Sequence, residues 1–346
     1  MKDTEPARPL VTAVIPCLNE ARFIQPMLRS IFSNTYPRTH LDVIFVDGMS
    51  TDGTRDVLAE AASAHPFIRV LDNPRVITPI ALNLGIKAAR GEIIVRMDAH
   101  AEYPDDYIDR CVRLLQSEPR IGSAGGRSVP VPSGDGPWAR AVAFVTAHRF
   151  GIGNVAYVVS ERPGPVDTVA FGTFRRSVLE EVGFFDERLT RNQDNELHAR
   201  LQKANYTIAF DPAIVSYYRN RPTLRGLSRQ AYVTGMWNIY TLLLHPHTWK
   251  LRRFVPMAFV SYLALLAAAG IFRARWFEAA CAPLAVYAAL VALFSFRSGE
   301  RAGSRLRVAA TFVSYHLAYG AGPMVGVFNV LTGRWRSQLG RPLNCA

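Results

Sequence analysis

The stretch IIVRMDAHAEYP, residues 93–104, carries an apolar triplet, Ile93, Ile94 and Val95, into Asp98 and His100. An acid and an imidazole two residues apart, just past a buried strand, have the types and spacing of two arms of a metal site. Mg²⁺ takes few protein ligands when phosphates and waters complete its shell, and imidazole suits Mn²⁺ better than carboxylate alone. Other apolar runs close in the same manner. VTAVIP reaches Pro16 and then Glu20, and LDVIFVD stops on Asp47. One acid after a strand is ordinarily a turn former or helix cap. Three strands ending in acids at one edge point instead to a binding crevice.

The elements that must position these residues alternate. VTAVIP (11–16), LDVIFVD (41–47), IRVLD (68–72) and EIIVRMD (92–98) read as strands, rich in Val and Ile and bounded by turn residues. QPMLRSIFS, DGTRDVLAEAASA and TPIALNLGIKAAR carry apolar residues at helical spacing between them. Pro26 and Pro79 suit first helical turns, and Thr78 suits an N-cap. This alternation predicts an α/β fold with a mostly parallel sheet and helices on both faces. Such sheets bind ligands at the carboxyl ends of their strands. Neither a G-x-G-x-x-G after the first strand nor a Walker lysine motif is present, which argues against dinucleotide oxidoreductases and P-loop enzymes.

Charge divides the 346 residues unevenly. From Ser216 onward there are 16 Lys/Arg and two acids, Glu278 and Glu300, leaving 24 basic and 26 acidic residues before it out of totals of 40 and 28. The excess positive charge flanks three apolar stretches at about 254–272, 279–296 and 308–331. Each is near the ~20 residues that cross a bilayer as a helix. Lys250, Arg252 and Arg253 precede the first, Arg297, Arg301, Arg305 and Arg307 precede the third, and only Arg273 and Arg275 lie between the first and second. That pattern predicts a cytoplasmic N-terminal domain on a membrane region of three helices. Arginines that flank apolar spans form no basic face, so nucleic acid is not an expected partner. The polar start MKDTEPARPL has no apolar signal core. Cys17, Cys111, Cys281 and Cys345 have no metal or redox spacing and read as packing residues.

VIPCLNE, VDGMSTDGT, ALNLGIKAARGEIIVRMDAH and FGTFRRSVLEEVGFFDERLTRNQDNEL together resemble the inverting family 2 glycosyltransferases, over roughly residues 9–220. DAH followed by three spans is similar to the succinoglycan-glucosyltransferase type within that family. The resemblance implies a GT-A nucleotide-sugar-binding domain over 1–220. An interfacial amphipathic linker over 221–253 and a membrane region over 254–346 would follow, at the bacterial inner membrane. It implies a UDP-sugar donor, a divalent metal (Mn²⁺ or Mg²⁺), and a polyprenyl-diphosphate-linked saccharide as acceptor. Transfer directly onto polyprenyl phosphate is the alternative, and a non-catalytic nucleotide-sugar-binding scaffold is a third reading.

Roles follow residue by residue. Pro16, Glu20 and Asp47 would hold the nucleoside, Asp47 meeting the uracil ring, and Arg75 would touch the base or a phosphate. Asp98 and His100 would hold the metal, or His100 would stand behind it as a diphosphate donor. The family's acidic dipeptide is here Gln193-Asp194, which makes Asp194 the candidate general base, unless it is only a helix cap. Gly172 and Thr173 fall where the acceptor sugar would approach. Arg229, among the aromatic residues of 221–253, would meet the lipid diphosphate. The Q/R-x-x-R-W motif of processive synthases is missing, so a single addition is expected. Gly320, Gly322, Pro323 and His316 suggest helix packing or a kink in the third span.

Overall fold

A computed structural model describes residues 8–272, 276–299 and 301–342. Arg273, Arg275, Glu300 and Cys345 lie outside them. Contacts divide the chain into two units. The first holds residues up to 129, 156–218 and the C-terminal residues from 339; the second holds 130–155 and 219–338.

The first unit is built on a sheet of β1 (Val11–Cys17), β2 (Leu41–Asp47), β3 (Ile68–Asp72), β4 (Ile93–Arg96), β5 (Ala101–Glu102), β6 (Ile121–Val131), β7 (Gly164–Pro165), β8 (Thr173–Arg175) and β9 (Thr207–Arg219). Their order is β3-β2-β1-β4-β8-β6-β9-β5, with β7 paired to β9. β3, β2, β1 and β4 run parallel, while β8 pairs antiparallel with β4 and β6. β2 and β4 are buried along their whole lengths because helices cover both faces.

Strand alternation sorts side chains into two cores. Val11, Ala13, Ile15, Ile93, Val95 and Met97 face one layer, with Ala21–Ser33 and Tyr107–Gln116. Val14, Ile44, Val46 and Ile94 face the other, with Leu197 and Leu201 of the Gln193–Lys203 helix. Two local expectations shift. Pro26 lies inside the Ala21–Ser33 helix rather than in its first turn, and Thr78 is the first helical residue, with Ile77 as cap.

The second unit is helical: Pro137–Ala147, Leu224–Leu244, Val255–Ile271, Ala282–Arg297 and Ala302–Leu331 are its long elements. Among the described residues one helix, Phe277–Arg297, is long and apolar enough to cross a membrane; Val255–Ile271 is apolar but shorter. The stretch expected as an interfacial linker is mostly one 21-residue helix, Leu224–Leu244, packed against Ala302–Leu331. Trp237 and Tyr240 are fully buried. Glycines make the approach: a Cβ on Gly235 would lie 2.3 Å from the Tyr319 carbonyl oxygen, and one on Gly322 2.2 Å from that of Tyr232. Asn238 donates to the Tyr319 hydroxyl at 2.9 Å and Asn329 to that of Tyr240 at 2.8 Å. Gly235→Leu should force the two backbones apart and destabilise this unit by more than the ~1–3 kcal/mol typical of overpacking. Thermal unfolding in detergent measures it; an unchanged midpoint would remove the close approach.

Residues 130–155, expected inside the catalytic domain, also belong here. Ala141 and Val145 pack with Val291, Val308 and Phe312. His316 accepts from or donates to the Tyr287 hydroxyl through Nδ1 (3.0 Å) and donates through Nε2 to the Phe150 carbonyl (2.8 Å).

Candidate functional site

β1 and β4 are parallel neighbours, so the segments leaving their carboxyl ends meet. β1 leads to Glu20 at the cap of Ala21–Ser33, and β4 leads to a turn at Asp98–Ala101 closed by the Ala101 N–H on the Asp98 carbonyl (3.1 Å). β5 then pairs with Tyr217 and Tyr218 of β9, fixing the turn from its far side. The Asp98 N–H donates to the Tyr103 hydroxyl at 2.7 Å.

His100 Nδ1 consequently lies 2.9 Å from Asp98 Oδ1 and 2.9 Å from Glu20 Oε1. The Tyr218 ring stands 5.0 Å from the imidazole. Burial disfavours the charged imidazole, yet the Asp98 and Glu20 carboxylates outweigh it and hold the His100 pKa well above its ordinary 6.5. Burial likewise pushes the Asp98 carboxyl up, but His100 and then Arg96 bring it below its usual 3.8. Asp98 and Glu20, partly open to solvent, both meet the same His100 nitrogen, so O and N donors of the types Mn²⁺ and Mg²⁺ accept stand at this strand end. Protonated His100 supplies the positive charge at that centre, and a divalent ion would compete with its proton.

Asp47 is fully buried at the tip of β2, where its carboxylate accepts from the Ser50 N–H (2.9 Å), the Ser50 hydroxyl (2.5 Å) and Arg55 (2.8 Å). With no exposed surface, Asp47 holds the turn together. Arg55, which also pairs with Asp72 at 2.9 Å, is the open group of that corner. Ser50 and Thr54 continue the network, accepting the N–H groups of Asn19 and Glu20 at 2.8 and 2.9 Å. Pro16 stays in β1 opposite Val46. Arg75 is exposed and pairs with Glu187 at 3.2 Å, while Glu187 also accepts from Asn83.

The Gln193–Lys203 helix starts after Asn192 in a left-handed turn, with Asp194 in its first turn, where the helix dipole favours an anion. Asp194 pairs with Arg96, which sequence reading passed over. Its signal was present: an arginine inside an apolar strand, on the face opposite Val95 and Met97. Four residues on, His198 is fully buried, with Nε2 3.0 Å from the Ser123 hydroxyl and Nδ1 2.9 Å from that of Thr168. Arg200 joins Glu196 (2.5 Å) to the carbonyls of Val182, Gly183 and Phe184.

Burial pushes His198 down to about 4. Unfolded, it titrates near ~6.5, so its contribution is complete above that pH and is lost as pH falls toward 4, about 3 kcal/mol in all. Thermal unfolding from pH 7 to 4.5 should therefore be steeper in the native chain than in His198→Gln. Equal slopes would exclude His198 as the source.

Gly172 and Thr173 are closely packed. Thr173 has no exposed surface, and a Cβ on Gly172 would meet the Phe174 ring at 2.6 Å and Ser123 Oγ at 2.8 Å. Gly172 makes room for the serine that holds His198. Arg229 is an exposed residue of Leu224–Leu244, in the helical unit. Cys17 and Cys111 are buried thiols, each pushed up chiefly by burial, as packing residues would be.

Residues 12–183 match the profile described as "Glycosyl transferase family 2". The chain is 30% identical to the succinoglycan biosynthesis protein ExoA of Rhizobium meliloti (strain 1021) over 320 residues, 89% of this chain and 92% of that one. The chain belongs to glycosyl transferase family 2. A Methanococcus voltae relative, named as a dolichyl N-acetyl-alpha-D-glucosaminyl phosphate glucuronosyltransferase, is 26% identical over 65% of this chain and 71% of its own. Among solved structures, a mannosyltransferase from Pyrobaculum calidifontis in complex with GDP-Man and Mn²⁺ superposes with a TM-score of 0.62 at 24% identity, covering 91% of this chain and 88% of that one. The sheet and flanking helices of the first unit are thus the GT-A fold, as the motifs implied.

Proposed function

We propose that this family 2 member is a membrane-anchored inverting hexosyltransferase, with a UDP-sugar as donor and a hydroxyl of a polyprenyl-diphosphate-linked saccharide as acceptor. The observation that carries the reading is the end of β4. It delivers Asp98 to His100, whose imidazole also meets Glu20, and Arg96 to Asp194. The R. meliloti relative, named for succinoglycan biosynthesis, aligns along nearly its whole length, helical region included. The M. voltae relative is named for a dolichyl-linked sugar phosphate. The first supports a role in polysaccharide assembly and the second a lipid-linked saccharide as acceptor; the apolar Phe277–Arg297 helix supports membrane anchoring, for which we propose the bacterial inner membrane.

Asp98 and His100, with Glu20 at the same centre, would hold Mn²⁺ or Mg²⁺, which compensates the charge of a departing nucleoside diphosphate. Pro16 and the corner built by Asp47, Ser50 and Arg55 border the nucleoside end. Asp194, 27% exposed, accepts the proton of the acceptor hydroxyl. Attack from the face opposite the diphosphate inverts the anomeric carbon.

The test uses the full chain in detergent with a panel of UDP-sugars and polyprenyl-linked saccharides, with and without Mn²⁺. UDP release together with one added hexose on the lipid product, by mass spectrometry, is the expected result. No release with any donor would sink the enzyme reading, and hexose found on polyprenyl monophosphate would replace the acceptor.

A further inference from the structure

We propose that Arg96 is a positioning residue for glycosyl transfer, its buried guanidinium holding the Asp194 carboxylate in place at the end of β4. The inference rests on Asp194 being the base. Arg96 alternates with Val95 and Met97 and so points into the layer where the Gln193–Lys203 helix packs. Its side chain is only 8% exposed and its Cζ lies 5.7 Å from the Phe171 ring centre. Phe171 holds a left-handed φ of 51°, a conformation kept only where its surroundings impose it. A desolvated cation needs a well-placed anion, and Asp194 provides one through Nη1. Nε is buried without a partner among the described residues, so little else anchors this guanidinium.

The helix itself does not depend on Arg96. His198 and Arg200 tie it to Ser123, Thr168 and the 182–184 carbonyls independently. What Arg96 fixes is the side chain of Asp194.

The experiment is a double-mutant cycle on the full chain: Arg96→Gln, Arg96→Lys, Asp194→Asn and the combined variants, with kcat, donor KM and the Mn²⁺ concentration for half-activation measured. Arg96→Gln should lower kcat roughly 10–100-fold, the scale of a misplaced catalytic group, with donor KM changed less than about threefold. Arg96→Lys should recover part of the loss. In the Asp194→Asn background neither change should cost more than about threefold, because the two side chains act as a unit. The same fold-loss in both backgrounds would mean a structural role only. An effect confined to Mn²⁺ half-activation would place Arg96 with Asp98 instead. Either result overturns the proposal. If Arg96→Gln does not fold, the Arg96→Lys arm decides by the same criterion. Should Asp194→Asn alone keep native turnover, it is the base assignment that fails, whatever Arg96 does.

Discussion

Asp194→Asn is expected to lower turnover about 10²–10⁴-fold, the usual worth of general-base catalysis, while donor KM moves less than about threefold. The amide matches the carboxylate in shape and keeps an oxygen for Arg96, so the geometry of the helix start survives. It cannot take a proton. The substitution also leaves a buried guanidinium without an anion. A fully buried pair broken this way costs about 3–5 kcal/mol; with Asp194 27% exposed, about 1–3 kcal/mol is the better expectation. Turnover should therefore be measured well below the unfolding midpoint of the variant. Near-native turnover would point to an acceptor that needs no base, such as a phosphate oxygen.

Asp98→Asn should cost roughly 10²–10³-fold in metal-supported turnover, since a ligand to the ion that balances a leaving diphosphate stabilises charge worth several kcal/mol. Excess chelator should reproduce that loss in the native chain and add little in the variant. His100→Ala separates two roles. If the imidazole is a ligand, half-activation by Mn²⁺ shifts upward by about 10–100-fold; if it stands behind the ion, half-activation holds and only kcat changes. pH gives an independent check. His100 is held protonated by Asp98 and Glu20, so the ion must displace its proton, and Mn²⁺ should bind more tightly as pH rises. Binding that ignores pH would exclude His100 from the metal site.

The parallel half of the sheet was legible because its strands are buried on both faces and bounded by turn residues. Asp98, His100 and Glu20 were legible as strand-end groups, although their convergence on one nitrogen was not. Three details stayed hidden for a shared reason: a side chain's neighbours across the sheet are not written near it in the sequence. Asp47 looked available to a ligand, but Ser50 and Arg55 enclose it. Gly172 looked like a point of approach for a sugar, but Ser123, 49 positions earlier, occupies that space. Arg96 shows no partner in the sequence, and Asp194, 98 residues on, comes beside it in the fold. The packing of the 221–253 stretch was not legible from composition. Arginine interleaved with tyrosine and tryptophan suits a membrane surface, yet here Trp237 and Tyr240 fill the seam between two helices.

The catalytic domain is interrupted: residues 130–155 leave β6 and fold among the C-terminal helices before the chain returns for β7. The C-terminal helices therefore cannot simply be cut away from the rest of the chain. A chain ended at residue 220 would keep Ala141, Val145 and Phe150 but lose Val291, Val308 and Phe312, which cover them. The apolar side chains it keeps would lie bare in water, a patch that invites aggregation. A version without the C-terminal helices must lose residues 130–155 with them.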